Sequence, residues 1–191
     1  MNKQINYVAL IAGITTLLLI VISVFVPWWQ FSVGQPAVAS VNFSPVNMNF
    51  SFFDDVITIP LIWALNIACL LTLAAGGIAM LIYSILPAKS FAKNLLGFGY
   101  KKPLYSVILF IIELFALYLP VRILSGFDFP LVGSAALQFP NGMLPDGINV
   151  SVNVSAGFGW PFYLAIAVVV LSIVARLYHG RVMSQQATTH P

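Results

Sequence analysis

Four long apolar runs, broken by two polar stretches and one basic stretch, set the pattern of the chain. The first covers residues 8–26, VALIAGITTLLLIVISVFV, and stops at Pro27-Trp28-Trp29. The second runs from about Leu61 to Leu86 and is closed by Pro87. The third runs from about Leu104 to Leu124, with Pro120 near its end, and the fourth from about Phe158 to Tyr178, entered by Trp160 and Pro161. A helix needs roughly 20 apolar residues to cross a bilayer. Each run therefore predicts a spanning helix. Between them lie loops over residues 27–60 and 125–157, a linker over 87–103 and a tail over 179–191, which is expected to be mobile.

Inside the two loops the period changes to two. Val46, Met48, Phe50 and Phe52 alternate with Asn47, Asn49 and Ser51. Ile148, Val150, Val152 and Val154 alternate with Asn149, Ser151, Asn153 and Ser155. Such alternation of β-branched or aromatic residues with polar ones predicts half-buried strands. A lone hairpin is marginal in water, so strands from both loops are expected to share one sheet. The predicted fold is an integral membrane, mainly α, single four-span domain. It is a four-transmembrane-helix bundle with a small extracellular β-sheet formed from the two outer loops.

Composition supports the membrane class. Of 191 residues 60% are hydrophobic and only 7% charged, against about 25% charged in soluble domains. Charge placement then sets the orientation. The N-terminus, the linker and the C-terminal end from Arg176 onward hold seven of the eight Lys and Arg residues, all but Arg122, and no Asp or Glu. Positive flanks stay inside, which predicts a multi-pass protein of the cell membrane with both termini cytoplasmic. The net charge of +3 does not point to nucleic acid, because the cations flank spans and suit anionic lipid headgroups. The first run follows Lys3 as a signal peptide would. It is long for one, and bulky residues occupy the place of a cleavage site, so it reads as a retained span.

Four sequons lie in the outer loops, at Asn42, Asn49, Asn149 and Asn153. They are candidate glycosylation sites, with the ordinary polarity of a strand as the alternative. Trp28, Trp29 and Trp160 stand where amphipathic rings anchor a span at the headgroup level.

Glu113 is the one charged residue deep in a run. A carboxylate there is costly and must face a partner. Thr15 and Thr16 in the first run and Thr72 in the second are the candidate partners. The site would either bind a proton or ion, or tie helices together. Ala64, Ala68, Thr72 and Gly76 form a small-residue column at four-residue spacing, with Ala75 and Ala79 beside it and Ala9 and Gly13 on the first run. Small residues permit close helix packing.

Cofactor chemistry finds little to stand on. The single cysteine, Cys69, allows no internal disulfide or cysteine metal cluster. Both histidines, His179 and His190, lie in the tail, so no span offers a haem ligand. His179 with Arg176 and Arg181 reads as a basic stop after the last span. Asp54-Asp55 reads as a solvated pair or a cap on the second helix. No zinc-protease, P-loop or nucleophile-elbow motif occurs. No enzyme activity, metal or cofactor is expected.

Residues Val26-Pro27-Trp28-Trp29-Gln30 after the first span, with four spans, cytoplasmic termini and a strand-bearing first loop, resemble the claudin and peripheral-myelin-protein type of four-span protein. The paired cysteines of that type are absent from the first loop. The resemblance implies a left-handed bundle topped by a β-sheet and working through lateral and face-to-face assembly. The outer loops are nearly uncharged, as suits a buried contact or an acidic exterior. The expected function is a non-catalytic structural or accessory subunit, presenting its extracellular surface to other membrane or extracellular proteins or to a second copy. Two alternatives are a small proton-coupled carrier or channel using Glu113, and a cofactor-free membrane subunit of a respiratory or other oxidoreductase complex.

Overall fold

The computed structural model describes residues 5–52, 55–57, 60–125, 129–138 and 151–188. Its helices are α1 (Tyr7–Phe25), α2 (Pro60–Ile85), α3 (Ala92–Gly99), α4 (Lys101–Ser125) and α5 (Trp160–Thr188). Its strands are β1 (Trp29–Val33), β2 (Ala39–Ser44), β3 (Asn47–Phe52), β4 (Asp55–Ile57), β5 (Gly133–Gln138) and β6 (Ser151–Phe158).

Among the described residues, four helical stretches are long and apolar enough to cross a membrane: Tyr7–Phe25, Ile62–Ile85, Ala92–Leu124 and Trp160–Gly180. Local chemistry sets their ends. Asn6 caps α1, its side chain accepting from the Ala9 N–H at 3.0 Å, which satisfies one orphan donor of the first turn. Pro27 lacks the N–H and the φ freedom to continue α1. α2 opens on Pro60, where the missing N–H costs nothing.

Three boundaries differ from the sequence expectation. The linker 87–103 is not a loop throughout, because α3 folds within it and α4 already begins at Lys101. Ala92, Leu96 and Gly99 are buried on one face of α3, enough to fix a short amphipathic helix. The last helix runs on to Thr188 instead of stopping near residue 178, since the tail is rich in good helix formers such as Arg, Met, Gln and Ala. Asp55 lies in β4 and does not cap α2. Asp54, Asp128, Asp146, Asn149 and His190 fall outside the described residues.

In the bundle α1 packs on α2 and α5, and α4 packs on the same two helices. The α1–α2 contact is close at Gly13 and Gly77, where an added Cβ would stand 2.8 Å from Leu81 and Leu17 respectively. The expected small-residue column contributes only Gly76 to buried packing, because Ala64, Ala68 and Thr72 are exposed.

The strands form one six-stranded antiparallel sheet in the order β4-β3-β2-β1-β6-β5. The expected sharing of a sheet by both loops is thus found, with β1 and β6 as the seam. Chain geometry forces that seam. The chain leaves α1 through Pro27-Trp28 and enters α5 through Gly159, whose N–H donates to the Trp28 carbonyl at 2.9 Å. A Cβ at Gly159 would sit 2.6 Å from the Pro27 carbonyl oxygen, so only glycine admits this crossing.

One sheet face meets the helices. Trp28, Trp29, Phe43 and Ala156 join Leu19 of α1, Phe110 and Leu114 of α4, and Ala165 and Val168 of α5 in a single core cluster. Trp28 is flanked by Phe110 and Phe162 at ring separations of 5.1 and 6.3 Å.

Candidate functional site

The other sheet face is open, and its make-up follows from the strand period. In each of three strands an Asn and the next-but-one residue flank an apolar residue: buried Phe43 after Asn42, half-buried Phe50 after Asn49, buried Val154 after Asn153. Register then aligns the polar positions across strands. Ser51 pairs with Ser40, Ser40 with Ser32, Ser32 with Ser155 and Ser155 with Ser134. Five strands therefore carry one row of serines, spaced about 4.8 Å apart as neighbouring strands are. Ser32 Oγ and Ser155 Oγ are hydrogen-bonded at 2.8 Å. A second row holds Asn49, Asn42, Gln30 and Gly157.

Two shallow concavities interrupt the open face. One, of about 270 Å³, is lined by Gly34, Gln35, Ser134, Ala136, Asn153 and Ser155 among others. The second, of about 320 Å³, lies between Pro27, Gln30, Ser32, Ser155 and Gly157. Ser155 borders both. Among the described strand residues the single charge is Asp55, and its pairing opposite Phe52 puts it on the other side of the sheet. The open face is thus wholly uncharged there. Its edge strand β5, GSAALQ, also has neither a charge nor a proline, the devices that usually blunt an edge.

The sequence-selected residues distribute as follows. Register and alternation place Asn42, Asn49 and Asn153 on the same side of the sheet. Asn42 Oδ1 is buried and has no hydrogen-bond partner. Ser44 of the first sequon is fully buried and engaged with α1 and Asn47.

Trp28 and Trp29 are 0% and 2% exposed, a correction to their expected place as headgroup anchors. The strand period carries Trp29 inward, and both indole N–H groups find protein acceptors, Ser23 Oγ at 2.7 Å and the Leu131 carbonyl at 2.9 Å. Trp160 is 55% exposed at the start of α5.

Glu113 is half-buried on α4 and makes no hydrogen bond to the expected threonines. Thr15 donates to the Ile11 and Ala12 carbonyls and Thr16 to the Ala12 carbonyl of their own helix. Thr72 instead lines a groove between α2 and α4. His179 does more than end a span. Its Nδ1 meets the Tyr83 hydroxyl at 2.8 Å, and Asn6 Nδ2 donates to that same hydroxyl at 3.1 Å. The network ties α1, α2 and α5 at the end remote from the sheet.

Sequence reasoning missed Gln30, Ser32, Ser40 and Ser134. The alternation Trp29-Gln30-Phe31-Ser32-Val33 carried a signal for the first two. No group of three or more metal-ligating side chains occurs among the described residues. No protein-family model matches the chain. No curated protein matches it either.

Proposed function

We propose that the chain is a multi-pass protein of the cell membrane, with both termini cytoplasmic and the sheet outside. It acts as a non-catalytic structural or accessory subunit and assembles with another membrane or extracellular protein through the open sheet face. The observation that carries this reading is the uncharged serine and asparagine surface, continuous across five strands. Faces that stay in water are usually rich in Lys, Glu, Asp and Arg, whereas the buried centre of an interface is depleted of charge. Serine has little rotamer freedom to lose on contact, so a partner can order this surface cheaply. The β5 strand, at the edge of the sheet among the described strands and with neither charge nor proline, lies beside it.

The membrane placement is supported by the four apolar helical stretches and by the bias of Lys and Arg toward the termini and linker. The assembly mode is the one the claudin-type resemblance implies, lateral or face to face, and a second copy is one candidate partner.

The test is charge insertion. Ser155→Lys places an ammonium between both concavities without touching the core. The variant is expected to keep the thermal stability of the parent in detergent while losing the proteins that co-purify with it. Retention of the same partners at the same stoichiometry would overturn the reading.

A further inference from the structure

The hydrogen-bond chain at the end of the bundle remote from the sheet runs in one direction only. Asn6 is fully buried. Its Oδ1 accepts from the Ala9 backbone N–H at 3.0 Å, which fixes the amide and leaves Nδ2 to meet the Tyr83 hydroxyl at 3.1 Å. An amide nitrogen can only donate. The Tyr83 oxygen is therefore the acceptor in that bond, and its own proton goes to His179 Nδ1 at 2.8 Å. Tyr83 is 0% exposed, and among the described residues no other acceptor meets its hydroxyl. Nδ1 thus presents its lone pair, and His179 is a neutral imidazole with its hydrogen on Nε2.

The surroundings of the ring carry one sign of charge. Lys93 of α3 lies within electrostatic reach of it. Arg176, one turn back on α5, places its guanidinium over Tyr100 at 4.4 Å. α1 contributes Asn6 and α2 contributes Tyr83. The first residues of α4 are Lys101 and Lys102, the latter over the Phe98 ring at 4.5 Å. The described carboxylates are elsewhere: Asp55 in the sheet, and Glu113 beside Leu114, which packs in the cluster under the sheet. Among the described residues none can balance a charged imidazole. His179 is only partly buried, so a proton from water can reach it.

We infer that His179 is a proton-operated latch: neutral, it holds α5 to α2 and, through Tyr83, to α1; protonated, it lets α5 go. One proton from water binds Nδ1, after which both ring nitrogens are donors. The Tyr83 proton then faces another proton, or the hydroxyl turns and leaves it unpaired in a buried site. Lys93 adds like-charge repulsion across the α3–α5 contact. Once the ring has swung out, water can take the Tyr83 proton in its place, so Asn6 keeps its bond and α1 keeps its cap. A group that is neutral when seated and free to charge when released binds more protons when released, so acid favours the open form. Ala92 and Leu96 of α3 share a buried cluster with Tyr83 and with Ala175 of α5, which carries the opening to α3. Under the membrane reading given above the proton comes from the cytoplasm; the latch itself does not depend on that reading.

The experiment is nuclear magnetic resonance on the full chain in detergent, with the histidine rings labelled with nitrogen-15 and the pH taken from about 8 to about 5, the range in which imidazole charges. The chain has two histidines, and His190→Gln assigns the signals without touching the latch. At high pH His179 is expected to be neutral, with hydrogen on Nε2 and Nδ1 accepting a bond. The Ala175 methyl, in the same cluster as Tyr83, reports the seating of α5. Its shift should move in step with the charging of His179. His179→Gln, whose amide oxygen can accept from Tyr83 at every pH, should abolish that movement. A neutral ring with hydrogen on Nδ1, or a charged ring with Ala175 unmoved, overturns the proposal, as does the same acid movement in His179→Gln. Should His179→Gln fail to fold, the parent alone decides by its tautomer and by whether Ala175 follows the ring. No outcome bears on the open sheet face, so the latch and the assembly reading fail separately.

Discussion

The hydroxyl of Ser44 donates to the carbonyl oxygen of Ser23 across 2.9 Å, so the β2–β3 turn closes the end of α1. The last carbonyls of a helix have no partner within it. Here Asn47 Nδ2 takes the Val24 carbonyl at 2.7 Å as well. Ser23 Oγ in turn donates to Leu19 and accepts from the Trp28 indole. Helix end, hairpin turn and core tryptophan are one cooperative unit.

Removing one member should therefore loosen the others. Asn47→Ala leaves the Val24 carbonyl unpaired and is expected to cost about 1–3 kcal/mol. It leaves all four sequons intact, unlike a change at Ser44. Thermal unfolding in detergent measures the loss. Hydrogen exchange should show faster opening at β2 and β3 than at β6, and an unchanged melting temperature would contradict the capping role.

Trp28 distinguishes a core role from an interfacial one. Trp28→Ala is expected to cost about 3–5 kcal/mol, as for other large aromatic truncations in cores. Trp160→Ala, at an exposed position, should fall within about 0.5 kcal/mol of the parent. Chemical denaturation of both variants compares them directly. Similar small losses would return Trp28 to the headgroup region.

Two glycines in neighbouring segments should respond with opposite sign. Gly76→Ala drives a methyl into Lys102 Cβ and should destabilise by about 1–3 kcal/mol, as α2 and α4 separate. Gly97 in α3 has nothing within 4 Å of an added Cβ, and Gly97→Ala should stabilise by about 0.4–1 kcal/mol. Melting temperatures of the pair, taken in one detergent, are the measurement.

The Tyr83 hydroxyl joins Asn6 to His179 inside the bundle. Tyr83→Phe leaves the fully buried Asn6 side chain without that acceptor and is expected to cost about 1–3 kcal/mol. His179→Ala should cost less, because His179 is only partly buried and water can replace it at Tyr83. A larger loss for His179→Ala than for Tyr83→Phe in thermal unfolding would contradict the arrangement.

The parts visible in the sequence are those with a strong local period. Twenty-residue apolar runs gave the long helices, and the Val and Phe alternation of β3 and β6 gave two strands. β1 was masked because Trp28-Trp29 after an apolar run reads equally well as an interfacial anchor, and only the position of Phe43 and Phe110 makes it core. β5 carries Ala135 and Ala136 in place of β-branched residues, so its alternation is faint. α3 is eight residues long and three of its positions decide its amphipathic face. The serine row depends on the β1–β6 register, which pairs residues such as Ser32 and Ser155 from opposite ends of the chain. No local pattern specifies it. Lys102 looked like one more flanking cation, and its position beside Gly76 follows from α4 starting earlier than its apolar run.

The most direct test of the central claim is the native mass of the chain after mild detergent extraction from its own membrane. The account predicts a complex heavier than one chain with its lipids, containing a stoichiometric protein partner, and predicts that Ser155→Lys reduces it to the single chain. A parent chain that emerges as a stable, partner-free monomer would contradict it.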